Sequence, residues 1–157
     1  MSTPFKTQLQ RRMLLVSVLI LALPCAHAAS HNTSIEVWKD PNCGCCKDWV
    51  AHLEKSGFTV KVNQNGNDVV RERLGTPRQL GSCHTALVGG YVIEGHVPAN
   101  VIKRLLKEKP AAIGLSVPGM PVGSPGMDGF IYNGRKDPYD VLLVLKDGSS
   151  RVYQSYR

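Results

Sequence analysis

Apolar and polar positions alternate over residues 35–39, the period-two signature of a half-buried strand, and the run stops at Asp40-Pro41-Asn42, which favours a turn. The period then changes. Over residues 46–56 the side chains of Trp49, Val50 and Leu53 gather on one face, which predicts a helix stopped by Gly57. Residues 58–62 read as a second strand, and Asn65-Gly66-Asn67 as a turn. Asn67 is expected to cap a short helix through Val69, Val70 and Leu74, with Gly75 at its end. Residues 85–88, Gly89-Gly90 and residues 91–94 form the pattern of a two-residue hairpin, because paired glycines supply the positive backbone angles such a turn demands. Pro98 opens a helix with Val101, Ile102, Leu105 and Leu106 at core spacing, and Pro110 ends it.

The order strand, helix, strand, helix, strand, strand, helix is that of a thioredoxin-like α/β domain, a small mixed sheet with helices on both faces. Beyond Pro110 the pattern breaks. Residues 117–127 are too rich in Pro and Gly for a helix or a central strand and read as an extended loop. Residues 141–145, Asp147-Gly148 and residues 151–153 predict a last hairpin, too short to bury a core of its own and so an extension of the same sheet. The expected plan is a core over residues 34–110 with a loop and hairpin extension over 111–157.

Chemistry concentrates in two places. Cys43-Gly44-Cys45-Cys46 crowds three thiols between the first strand and the first helix, and Cys83-His84 puts a fourth thiol beside an imidazole just ahead of the hairpin. Cys43 and Cys46 form a Cys-x-x-Cys pair at a helix start, where unpaired N–H groups and the helix dipole favour thiolate over thiol. With Lys47, the segment matches the thioredoxin motif Cys-Gly-Pro-Cys-Lys with Cys45 in place of proline. A third thiol adds little to two-electron exchange but adds a soft donor for a metal. In a thioredoxin-like fold Cys83 and His84 would face the trio, so four sulfurs and one imidazole converge. Soft thiolates select Cu(I), Zn or iron–sulfur clusters, and no carboxylate cluster accompanies them. Adjacent Cys45 and Cys46 suit a single closed zinc site poorly, because zinc motifs space their ligand pairs by two to four residues. Thiolates bridging several coppers tolerate the crowding. A purely structural alternative is a pair of disulfides, such as Cys46 with Cys83.

The N-terminus decides what these thiols meet. Lys6, Arg11 and Arg12 precede an apolar run over residues 13–23 and the small residues of Ala26-His27-Ala28, the pattern of a secretory signal over residues 1–28 cleaved after Ala28. The run is shorter than the ~20 residues a membrane span needs, so the mature chain, residues 29–157, is expected to carry no membrane segment. Arg11-Arg12 faintly resembles a twin-arginine signal. Cys25 is a conceivable lipidation site, which the preceding Pro24 argues against. Cleavage removes Cys25 and leaves four cysteines, all of them in the two motifs. It also leaves 16 basic against 12 acidic residues, a net charge of +4. Lys and Arg are scattered rather than clustered with aromatic residues, so nucleic acid is not an expected partner.

Other candidates carry less. His31 falls near the new N-terminus and reads as solvated. His52 sits on the first helix beside Trp49 and Leu53 and reads as a satisfied boundary residue. His96, after Glu94-Gly95 at a strand end, could approach the site but is not counted among its ligands. Met120 and Met127 lie in the Pro/Gly loop, where thioethers can receive or deliver Cu(I) if the loop folds over the cysteines, and otherwise simply pack.

Taken together, Asp40-Pro41-Asn42-Cys43-Gly44-Cys45-Cys46, Ser82-Cys83-His84-Thr85, the segment from Tyr91 to Pro98 and the loop from Val117 to Met127 resemble the CopG-type periplasmic copper proteins, long catalogued as a domain of unknown function. The resemblance runs from Ile35 to the C-terminal hairpin. It implies a thioredoxin-like fold, a role in copper resistance and a cysteine-ligated copper cluster that cycles between Cu(I) and Cu(II). By position its metal ligands are Cys43, Cys45, Cys46 and Cys83, with His84 and the two methionines carried over less securely. Copper ions, exchanged with other periplasmic copper-handling proteins, are the expected partners. Two other functions compete: a thiol–disulfide oxidoreductase in which Cys43 attacks and Cys46 resolves, and a zinc-stabilised structural module.

Overall fold

Strand β1 (Thr33–Lys39) buries Ile35, Val37 and Lys39 on one side, as the alternation predicts. It is followed by α1 (Gly44–Lys55), β2 (Phe58–Asn63) and α2 (Asp68–Arg73), then by the hairpin β3 (His84–Val88) and β4 (Tyr91–Glu94). The chain continues through α3 (Ala99–Glu108), β5 (Gly114–Ser116), β6 (Tyr139–Val144) and β7 (Ser150–Tyr156). This computed structural model describes residues 33–157, so the expected signal over residues 1–28, with Cys25, and His31 lie outside the described residues. No helix among the described residues is long and apolar enough to cross a membrane.

The strands form one mixed sheet in the order β2-β1-β3-β4-β5-β6-β7. Pairs β1–β2 and β4–β5 are parallel and the other four are antiparallel. One row of the register explains the core: Val37, Ala86, Ile93, Leu115 and Leu143 stand opposite one another across five strands, and all are buried. Trp49 and Leu53 of α1 and Val101, Ile102 and Leu105 of α3 complete this cluster. The neighbouring row, Trp38, Thr85, Glu94 and Ser116, turns to the opposite face by the period-two rule. There Arg71 of α2 reaches Glu94. Helices therefore cover both faces.

The hairpin forms on Gly89-Gly90, both at positive φ, and the C-terminal hairpin extends the same sheet. Two expectations need correction. Asn67 occupies the N-cap position of α2, but its side chain makes no cap bond; its amide donates instead to the Ser82 carbonyl and Thr85 Oγ1. The segment after Pro110 is not loop from its start. It contributes β5, whose three residues are too few to show a period but are all buried between β4 and β6. His52 is half-buried, and its Nε2 accepts the Ala99 N–H at 3.1 Å, serving as the cap that Pro98 cannot supply to α3.

Candidate metal centre

The thiol trio is set by a turn. Asp40 Oδ1 accepts the Asn42 N–H at 2.8 Å and the Asp40 carbonyl accepts the Cys43 N–H at 3.1 Å, an Asx turn that delivers Cys43 to the N-cap of α1 in an extended conformation. Gly44, Cys45 and Cys46 then form the first turn, where the free N–H groups and the dipole favour negative charge on sulfur. Cys43 and Cys46 are joined as a disulfide, whereas Cys45 and Cys83 are free thiols. The alternative pairing of Cys46 with Cys83 does not occur: Cys46 Sγ is spent on Cys43 and lies 3.6 Å from the backbone oxygen of Cys83.

Sheet register brings the second motif here. Lys39, the last residue of β1, pairs with His84, the first of β3, so the chain entering β3 passes beside the turn that leaves β1. Cys45 Sγ lies 3.5 Å from Cys43 Sγ and 3.9 Å from Cys83 Sγ. The four sulfurs of Cys43, Cys45, Cys46 and Cys83 all fall within 4.8 Å of one another. His84 Nδ1 is 3.4 Å from Cys83 Sγ, and its ring packs against Trp49 at 4.2 Å between centroids. His84 Nε2 is buried without a hydrogen-bond partner.

One residue left outside the expected ligand set belongs to this group. His96 is fully buried, with Nε2 3.1 Å from Cys83 Sγ and Nδ1 2.8 Å from the Pro125 carbonyl. A carbonyl only accepts, so Nδ1 carries the proton and the Nε2 lone pair of the neutral ring faces the sulfur, the arrangement in which metal-ligating histidines are commonly held. A signal for it was present. The glycine turn pairs Val88 with Tyr91 and Thr85 with Glu94, and the same count carried two residues further sets Cys83 opposite His96.

The Pro/Gly loop folds back onto the site. A side chain at Gly126 would place its Cβ 2.5 Å from the Cys45 carbonyl oxygen and 2.8 Å from the Trp49 N, so bare backbone at φ +84° lies directly on the first turns of α1. That seat puts the neighbouring Pro125 carbonyl against His96. Met127 is buried and its Sδ accepts the Tyr132 hydroxyl at 3.2 Å, while Met120 is 52 % exposed. Neither methionine sulfur shares a hydrogen bond with the cysteines or the two rings.

Burial dominates the electrostatics. It pushes the Cys83 thiol up to about 12, helped by the neighbouring Cys45. Burial also lowers His84, with His96 and Lys39 adding to the effect, and lowers His96 against the opposing pull of the Pro125 carbonyl. The metal-free pocket thus holds neutral imidazoles and a protonated Cys83. A soft cation would reverse that preference, since thiols deprotonate when they ligate a metal. Thiolates and neutral imidazoles with no carboxylate among them suit copper or zinc rather than a hard cation.

Two solved structures, both named copper resistance protein CopG and distinguished as form 1 and form 2, match the chain with a TM-score of 0.74 at 44% sequence identity. Each match covers 80% of this chain and 98% of the other. The family model described as a protein of unknown function, DUF411, matches residues 80–127, a stretch that holds Cys83, His84, His96 and the loop. No curated protein matches the chain.

Proposed function

This chain belongs to the CopG copper-resistance family, and we propose that it is a periplasmic copper-binding protein whose cargo, Cu(I), is held by Cys43, Cys45, Cys46 and Cys83 with His96 and His84 as nitrogen donors. The observation that carries this reading is the junction of two donor groups at Cys83, one of four sulfurs and one of Cys83 with the two imidazoles. Thiolate softness selects Cu(I), and six donors exceed the four that one tetrahedral zinc takes, which favours a multinuclear copper site over a zinc module. The exposure of Met120 in the loop is compatible with a thioether that takes up or releases Cu(I).

Several finer points belong to the same proposal. The element order from β1 to α3 supports a thioredoxin-like core to which β5, β6 and β7 are added. The charge and apolar pattern of residues 1–28 supports export by a cleaved signal. A Cu(I)/Cu(II) oxidoreductase role in copper resistance is supported by a ligand set that also forms a disulfide.

That disulfide favours a second reading, a thiol–disulfide exchange protein using Cys43 and Cys46. Interconversion of the pair moves two electrons and two protons, and Cys46 is buried while Cys43 is the more exposed residue of the two, which suits Cys43 to the attacking role. Anaerobic titration of the reduced mature chain with Cu(I) separates the readings. Uptake of more than one copper per chain, diminished in Cys45→Ser, is expected; less than one copper, together with disulfide reductase turnover by the metal-free protein, would assign the site to exchange.

A further inference from the structure

The ligand Cys83 has almost no secondary structure of its own: it follows a loop and precedes the first residue of β3. Its position is instead fixed by side chains on the opposite face of the sheet. Glu94, the last residue of β4, is fully buried. Its Oε1 accepts the Ser82 N–H at 2.7 Å and Arg71 Nε–H at 2.9 Å, and its Oε2 accepts the Thr85 hydroxyl at 2.6 Å. Arg71 Nη2 donates to the Ser82 carbonyl at 2.7 Å. The two residues flanking Cys83-His84 are therefore tied to one buried ion pair, and both backbone polar groups of Ser82 are gripped by it.

An ion pair in this position is a poor device for stability alone, because removing two charges from water costs about as much as their attraction returns, and apolar replacements often match it. What it supplies is direction. A carboxylate and a guanidinium fork bond at fixed angles, and every bond described for Glu94 ends on Ser82, Thr85 or Arg71. We propose that Glu94 and Arg71 are positioning residues for the copper site, holding the Ser82–Thr85 segment so that Cys83 Sγ and the His84 ring stay in register with the α1 cysteines. This deepens the copper reading and rests on it.

The test compares Cu(I) affinity, by chelator competition, and the copper–sulfur coordination number, by X-ray absorption, in the full mature chain and three variants. Glu94→Gln puts an amide N–H where the carboxylate accepts, and Arg71→Met removes the fork while keeping the stem. Ile102→Val, a core deletion in α3 at a residue outside both donor groups, controls for lost stability. Glu94→Gln and Arg71→Met are expected to weaken Cu(I) binding roughly 10- to 100-fold, the usual effect of an outer-shell change, and to lower the sulfur number, while Ile102→Val alters neither. The proposal is overturned if both site variants bind with wild-type affinity and coordination. Loss of the fold in both, or an equal loss of binding in Ile102→Val, also overturns it, since the pair would then serve the domain and not the ligand segment. A wild type that takes up less than one Cu(I) removes the copper function itself, whereas a normally loading wild type beside unchanged site variants removes only the clamp.

Discussion

Cys83 and His96 face each other two residues past the paired Thr85 and Glu94, with Sγ and Nε2 3.1 Å apart. The hairpin that aligns them is held shut by its glycine turn, and the Pro125 carbonyl fixes which nitrogen of His96 is free. If that nitrogen is a ligand, His96→Ala should weaken Cu(I) binding by at least the roughly tenfold that even outer-shell changes cause. X-ray absorption should show a smaller nitrogen contribution, that of His84 remaining, while the sulfur contribution persists. Unchanged affinity with an unchanged nitrogen shell would confine His96 to a hydrogen-bonding role.

The thiol of Cys83 is pushed up to about 12, so at pH 8 the metal-free, disulfide-bonded protein holds it almost wholly protonated. Since thiolate is the nucleophile, iodoacetamide should label Cys83 very slowly at that pH. Burial is the larger cause and Cys45 the next, so Cys45→Ser should speed the labelling without making it fast. Mass spectrometry of the alkylated chain follows both rates. Labelling of wild-type Cys83 as fast as a free cysteine in solution would mean the pocket is open to water.

How far the site was legible depended on range. The α1 trio, its turn and its helix start are contiguous, and Asp40-Pro41-Asn42 announces them through local turn chemistry alone. The meeting of Cys83 with that trio required a fold, and the alternation of apolar residues was enough to suggest one. His96 needed the hairpin count to be carried past the last hydrogen-bonded pair, a step that periodicity does not prompt. The loop was readable as Pro- and Gly-rich, yet what Gly126 serves, close approach of bare backbone to α1, is a tertiary fact without a sequence period. β5 was missed for the related reason that three residues cannot show alternation. Asn67 looked like a cap because Asn usually is one; here the Ser82 carbonyl and the Thr85 hydroxyl outbid the helix for its amide.

Acid should weaken the metal-free protein through its two buried histidines. Folded His84 and His96 are lowered by burial from the ordinary value of 6.5, so on acidification the unfolded chain takes up protons that the folded chain refuses. Their contribution is fully present above that value and is lost as pH falls below it, at up to about 1.4 kcal/mol per pH unit for each histidine. Glu94 acts in the opposite sense: burial raises its carboxyl above 4.5, so on acidification the folded chain takes up that proton before the unfolded chain does and offsets part of the loss. The urea midpoint should therefore drop between pH 7.5 and 5.5. In His84→Phe, which also removes the unpartnered Nε2, the slope should shrink and the stability at pH 7 should rise by about 1 kcal/mol. A midpoint flat with pH in the wild type would show that the two rings are not held neutral.

The loop's seat on α1 gives the most local prediction. Gly126 sits at φ +84°, and a Cβ there would meet two backbone atoms of α1, at Cys45 and Trp49, which cannot swing aside as a side chain would. Gly126→Ala must therefore lift the loop, and the expected loss is about 1–3 kcal/mol. Because Pro125 moves with it, the His96 ring should lose its fixed tautomer and Cu(I) affinity should fall as well. Gly129→Ala is the matched control. It lies three residues on with nothing within 4 Å of its Cβ, and should change stability by no more than about 0.5 kcal/mol. Thermal unfolding with and without Cu(I) reads both effects, since a ligand that binds only the folded state raises the midpoint further the more tightly it binds. Equal melting shifts in the two variants would mean that the loop does not bear on the site.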